Sequence, residues 1–485
     1  MLPALAAAQA FTVNSTGDGA KTAAGATCEA GSPGVCTLRA AIEAVNADTE
    51  KDAINFDASV FNGEAGSAIT PGSLLPEVSA GHPVAIDGGV CATSSGSEPC
   101  VTLNSFAGGA GISVRAEESV VEHLALNVGG SVGIRALGST SAKPAVEILD
   151  NVISFPGTGA AIELLGAVGG TGNLVAGNQI QIAFGFGVGI AVRNGPNRIF
   201  GNAIEGHGCC GVGVKFEEVP PGSEAVSGNQ VGGDTPASEN VISGFQAGAI
   251  WLNLGTNTHN EVRRNRGSNG EQFIRFGSGT NGGIQPPAIA TALQSSATGT
   301  AETGAVVRLF GKATESSGEL HSFLGETVAV AGSWKVSFAS VPAGTFVTAT
   351  QTLNGGTSQL AEAATVAAEP SPGGGGSDGG GGTSGGSQSG GGQPSTPPPA
   401  PVPPPKAKIT AGPPAKSAAT TAKFRFTSTV AGSRFQCRLD GAKFAGCRSP
   451  KAYKHLKPGK HVFRVRAVDP AGVTGAAAKR SFTVS

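Results

Sequence analysis

The chain has 485 residues, too many for one compact core, so three or four domains are expected. Glycine is abundant at 77 residues, while charged residues make up 14% and aromatics 5%, a balance that suits short strands and tight turns and argues against helical bundles. The net charge of -1 hides a split: residues 406–485 hold ten Lys and seven Arg against two Asp, net +15, and the rest of the chain is net −16. A basic module joined to an acidic body points to a polyanionic partner, although a solubility face would read the same way.

Residues 1–10 (MLPALAAAQA) resemble the end of a secretory signal, with Ala8-Gln9-Ala10 giving the small-x-small pattern of a cleavage site. No later run is apolar enough to span a bilayer. The cysteines fall into close pairs, Cys28/Cys36, Cys91/Cys100, Cys209/Cys210 and Cys437/Cys447, which favour disulfides over zinc because no CxxC occurs and the histidines are scattered. Cys209 and Cys210 read either as a vicinal disulfide or as two unrelated thiols on opposite strand faces.

Residues 11–105 form an N-terminal segment in which Leu38, Ile42 and Val45 fall on one face of a short helix suited to covering an open strand edge. Residues 106–283 carry a repeat, small-x-small-apolar-x-apolar, seen as GAGISV, SVGIRA, GAAIEL, GVGIAV, GVGVKF and AGAIWL. Its anchors are Ile112, Ile134, Ile162, Ile190, Val214 and Ile250, with Ile274 as a seventh. A second signature, LDNVI, AGNQI, FGNAI and SGNQV, places Asn151, Asn178, Asn202 and Asn229 at similar intervals, and Asn265 is a degenerate fifth. Strands this short cannot bury their apolar residues within one repeat. Stacked as coils of a solenoid they can, with the anchors as core and the asparagines as amide ladders.

FTVNSTGDG, the run Cys36-Thr-Leu-Arg-Ala-Ala-Ile-Glu-Ala-Val-Asn46 and DAINF resemble the N-terminal module named for its CSLREA motif, departing from it at Thr37 and Ala40. The resemblance spans roughly residues 11–280 and implies a bacterial right-handed parallel β-helix, an all-β fold of pectin lyase-like type. Residues 284–368 alternate as strands of an immunoglobulin-like sandwich with Trp334 in its core, and 369–405 are a Gly/Ser-rich then Pro-rich linker. Residues 406–485 form a second, basic sandwich that resembles the small Ig-like repeats at the ends of actinobacterial surface proteins.

Polysaccharide-acting enzymes on such a fold need neighbouring carboxylates or a basic residue on adjacent coils. The column after the anchors reads Ser113, Arg135, Glu163, Ala191, Lys215, Trp251, Arg275, with no two acids adjacent. The column before the asparagines, Asp150, Gly177, Gly201, Gly228, Arg264, has none either. No catalytic residue, metal or cofactor is expected. His123, His207 and His259 read as isolated, and Asp234 and Glu239 as loop acids.

Trp251 between Lys215 and Arg275 is either a sugar-stacking platform or a cation–π ladder. In the basic module, Arg425, Arg434, Arg438, Arg464 and Arg466 alternate with apolar residues and form an arginine patch if their strands share a sheet. The sequence therefore reads as a non-catalytic secreted or cell-surface binding or adhesion protein. Its β-helix would be a rigid rod, its basic module a tether to an anionic cell-wall or matrix polysaccharide, and nucleic acid is not expected. A polysaccharide lyase or glycoside hydrolase with acids on long loops, notably 217–240, and a purely structural envelope component are the alternatives.

Overall fold

The computed structural model describes residues 9–369 except 23–26, 51, 64–66, 90–98, 106–108, 130, 138–144, 166–171, 184, 209, 218–225 and 254–257. It also describes 406–484 except 415, 418–419, 429–433, 441–444, 448, 455 and 469–476. The signal-like residues 1–8 and the linker fall outside these ranges, as do Cys91, Cys209 and Glu218. Among the described residues the chain is almost wholly β, with one α-helix, Leu38–Ala47. It divides into two compact units, one running to Glu369 and one after it.

Three parallel sheets build most of the first unit. From Val84–Asp87, Val101–Ser105 and Ala110–Val114 onward, the chain enters the three sheets in rotation, ending with Glu261–Val262, Asn265–Ser268 and Ile274–Phe276. The register keeps like side chains stacked. Ile112, Ile134, Ile162, Ile190, Val214, Ile250 and Ile274 are successive partners in the third sheet, and all are buried, as the repeat predicts. Parallel columns run through the second sheet, Leu103 to Ile242, and the first, Ile54 to Val262, and all three belong to one continuous core. Each such Ile or Val removed from water contributes about 1.5–3 kcal/mol. The glycine before several anchors is dictated by the next strand: a Cβ on Gly133 would lie 2.4 Å from the Ala161 carbonyl oxygen.

Asparagines stack on both sides of the first sheet. One ladder runs Asn151, Asn178, Asn202, Asn240, Asn265, each Nδ2 donating to the next Oδ1 at 2.8–3.1 Å. Asn229 is not a rung of it, contrary to the spacing of the motifs. It belongs to a second ladder, Asn173, Asn197, Asn229, Asn260, with 2.8 Å bonds, and Asn281 Oδ1 closes that ladder by accepting from the Asn260 backbone N–H. Both corners use the same Asn-x-apolar signature, so spacing alone merges them. The Oδ1 of Asn202 also accepts the Asn178 backbone N–H, and its Nδ2 also donates to the Val175 carbonyl, so these buried amides are well satisfied.

Both ends of the stack are covered. Thr37 caps the helix by accepting from the Ala40 amide, and Leu38, Ile42 and Val45 pack into the core. Arg39 ties this cap down through a two-pronged pair with Asp18 at 2.9 Å and bonds to the Ser73 and Leu74 carbonyls. At the other end, residues 284–368 form two antiparallel sheets around Trp334, Val307, Leu309 and Val347. Their strand Glu319–Leu320 pairs with Asn265–Ser268 and so extends the second parallel sheet, while Phe310 and Leu320 enter the parallel-sheet core. The terminal edge of the second sheet, which would otherwise recruit other chains, is thereby occupied.

The second unit pairs a three-stranded with a five-stranded sheet around Phe424, Phe426, Phe463, Val465 and Phe482. Phe424 and Phe463 stack at 4.0 Å. A disulfide joins Cys437 and Cys447 here, and another joins Cys28 and Cys36 in the N-terminal cap.

Candidate functional site

The outward column of the third sheet is in the expected order: Ser113, Arg135, Glu163, Ala191, Lys215, Trp251 and Arg275 are successive cross-strand partners. Charges along it are wired together. Arg135 Nε lies 2.6 Å from Glu163, Arg193 bridges Glu163 and Glu217 at 2.8 Å each, and Lys215 Nζ reaches Glu217 at 2.5 Å. These side chains wall a cavity of about 460 Å³ whose floor includes Ala160, Val188 and Ala191 and whose lip carries Phe186, 65% exposed. Arg193 was missed and Glu217 reads only as a loop acid in the sequence, because both lie two positions beyond that column, in the next outward column. Aligning residues three past each anchor would have found them.

Trp251 lies between cations from adjacent strands, with Lys215 Nζ 5.3 Å and Arg275 Cζ 4.4 Å from its ring. Arg275 is itself held by Glu271 at 2.6 Å. The cavity thus offers an apolar floor and an exposed ring beside fixed charges. Each of its two carboxylates contacts two cations, a setting that favours holding a polar ligand over moving its protons.

His123 is not isolated, contrary to its sequence setting. Asp87 and Glu122 are register partners on neighbouring strands of the first sheet, and His123 Nδ1 stands 2.9 Å from Asp87 and 3.9 Å from Glu122. The His123 hydrogen bond holds the Asp87 carboxyl below its usual range. Burial, then the Asp87 charge, raises that of Glu122, and the bond to Asp87 raises the imidazole. Two acids on adjacent strands therefore do exist, in a sheet whose VAID and SVVE strands carry no flanking signature.

His207 lies 3.7 Å from Glu205, and His259 lines a cavity of about 300 Å³ with Asn281 and Asn354. Asp234 pairs with Arg263, and Glu239 with Arg264. Cys100 is disulfide-bonded, and Cys210 has a left-handed backbone with φ 74°.

In the basic unit, Arg438, Arg464 and Lys479 are direct cross-strand partners on three neighbouring strands, and Gln436 partners Arg466 beside them at 2.7 Å. These positions alternate with buried Cys437, Phe463 and Val465 and so face outward. Arg434 lies in the same strand, but its side chain is outside the described residues. Arg425 does not join this patch: its strand, Ala422–Ser428, belongs to the three-stranded sheet. Alternation fixes which face a residue takes, not which sheet its strand enters.

No protein-family model and no curated protein matches the chain. Solved structures similar to it include fibronectin(III)-like modules of Clostridium thermocellum CbhA, at 14% identity over 41% of this chain and 94% of that one, with a TM-score of 0.18. A biofilm associated protein BSP domain aligns at 12% identity over 41% and 29% of the two chains, with a TM-score of 0.14. The FN1-FN3 domains of chicken CNTN1 align at 11% over 41% and 66%, with a TM-score of 0.16. Scores this low carry no argument about fold or function.

Proposed function

We propose that the three-sheet body is a right-handed parallel β-helix, that the two antiparallel units are immunoglobulin-like, and that the protein is a secreted or cell-surface binding protein. The rotation of strands through three sheets, with apolar columns and asparagine ladders in register, supports the first part. Two disulfides fit an oxidising compartment. Among the described residues no helix is long and apolar enough to cross a membrane.

The observation that carries the binding role is the row Arg438, Arg464, Lys479, with Arg466 alongside, on the outward face of the basic unit. Three cations spaced by one strand each, about 5 Å apart, match the repeating charges of an anionic cell-wall or matrix polysaccharide. The rod then presents its ion-paired groove while the basic unit holds the polymer.

The test is binding of the full chain to polygalacturonate, a polyphosphate and neutral dextran across a salt series. Binding to the polyanions should weaken steeply with salt, and the variant R438E/R464E/K479E should lose at least tenfold affinity. Equal binding by that variant, or none by the wild type at low ionic strength, rejects the tether. Release of reducing ends or unsaturated uronides from the same polymers would replace binding with catalysis.

A further inference from the structure

We infer that Asp87, Glu122 and His123 form a site for a divalent transition-metal cation such as Zn²⁺ or Mn²⁺. The residues come from two adjacent strands of the first sheet. Asp87 ends Val84–Asp87, Glu122 ends Ser119–Glu122, and the two are direct partners in the parallel ladder. Successive strand residues point to opposite faces, so His123 would normally point away from Glu122. Its backbone instead turns left-handed, φ 56°, and its ring reaches the carboxylates.

One ligand atom from each residue lies within 4.8 Å of the other two. A tetrahedron built with metal–ligand bonds of 2.0–2.1 Å has edges of about 3.3 Å. The observed separations from Nδ1, 2.9 Å to Asp87 and 3.9 Å to Glu122, bracket that edge. Small side-chain rotations would therefore bring the three atoms around one ion.

The surroundings are cut to fit. Gly88 and Gly89 follow Asp87, and a Cβ on Gly89 would lie 2.8 Å from Asp87 Oδ1 and 3.1 Å from His123 Nδ1. A Cβ on Gly88 would fall 2.3 Å from the His123 carbonyl oxygen. The Gly89 amide donates to Asp87 Oδ1 at 2.8 Å, fixing that carboxylate. Asp150 and Glu147 on the next coil add negative field at Glu122. The three side chains are 27–42% exposed, open enough for an ion to enter and keep water ligands.

One imidazole nitrogen and two carboxylate oxygens suit Zn²⁺ and, with waters completing the shell, Mn²⁺. Calcium and magnesium take all-oxygen shells of six or more ligands and fit this set poorly. Binding displaces the Nδ1 proton, and the ion replaces the imidazole's bond to Asp87.

The experiment is calorimetric titration of the chelator-treated full chain with ZnCl₂, MnCl₂ and CaCl₂ at pH 7. One zinc or manganese site of micromolar affinity is expected, with calcium at least a hundredfold weaker. Asp87→Asn and His123→Asn should each weaken it at least tenfold. Asn tolerates the left-handed backbone, so the His123→Asn chain should keep the fold, checked by circular dichroism. A second readout is the Co²⁺ visible spectrum, whose bands should disappear in His123→Asn and persist in His461→Asn. An affinity weaker than millimolar, or a site unchanged in both variants, means the three residues are an ion pair only and overturns the proposal.

Discussion

Replacing Asp52 by Asn should stabilise the N-terminal coils at neutral pH. Asp52 opens the strand Asp52–Phe56, is 3% exposed, and has neither carboxylate oxygen hydrogen-bonded. His82 Nε2 stands 3.8 Å from Oδ2, beyond bonding distance, while its Nδ1 donates to the Pro83 carbonyl. Burial first, then the Asp48 charge, raises the carboxyl to about 6. A carboxyl that titrates higher in the fold than in the open chain holds its proton more tightly when folded. Its effect is thus absent below about pH 4, where both states are protonated, and grows as pH rises to 6. Above that it costs about 3 kcal/mol, from roughly two pH units at about 1.4 kcal/mol each. Asn mimics the neutral acid and should remove this cost. Hydrogen exchange gives the opening free energy of Asp52–Phe56 for both proteins. The variant should exceed the wild type by about 2–3 kcal/mol at pH 7.5 and by under about 1 kcal/mol at pH 4. An equal difference at both pH values, or a less stable variant at pH 7.5, would refute the reasoning.

Three further outcomes follow from the polar contacts. Asn202→Ala should cost about 3–5 kcal/mol in urea unfolding, because it orphans the Asn178 amides and opens the ladder. Asn127→Ala, which removes an exposed bond to Asn104, should cost under about 1 kcal/mol. Arg39→Lys keeps the charge but loses the two-pronged pair with Asp18, so the helix Leu38–Ala47 should exchange its amides at least tenfold faster.

Much of the body was legible because one sheet announces itself. A small residue precedes each anchor from Ile112 to Ile250, forced at Gly133, Gly189 and Gly213 by the backbone of the neighbouring strand, so that part of the third-sheet column could be read with its register. The second sheet showed itself only through the asparagines that precede several of its strands, and the first, with strands as varied as VAID, SVVE and VEIL, carried no small-residue pattern ahead of its apolar positions. Asn229 was read into the wrong ladder because both corners select the same amide. His123 looked solitary since its partner Asp87 is 36 residues away, a distance that parallel stacking closes to one strand spacing. Arg193 and Glu217 are ordinary charges in sequence, and only the aligned coils make them neighbours.

The asparagine ladders flank one sheet only, and this asymmetry has a consequence for how the molecule can vary. Several corners between the first and second sheets are short, with Asp150 alone separating Leu149 from Asn151, although Val231 and Asn240 are joined by a longer segment. Between the third sheet and the next entry into the first, the chain runs from Phe216 to Gln230 in one coil and from Val192 to Arg198 in another. Length can change ahead of Asn197 and Asn229 without breaking a rung, and Arg193 and Glu217, near the start of these segments, line the ion-paired groove. Rim and scaffold are therefore separable: new recognition surfaces can be grafted at this corner while the stack that carries them stays fixed.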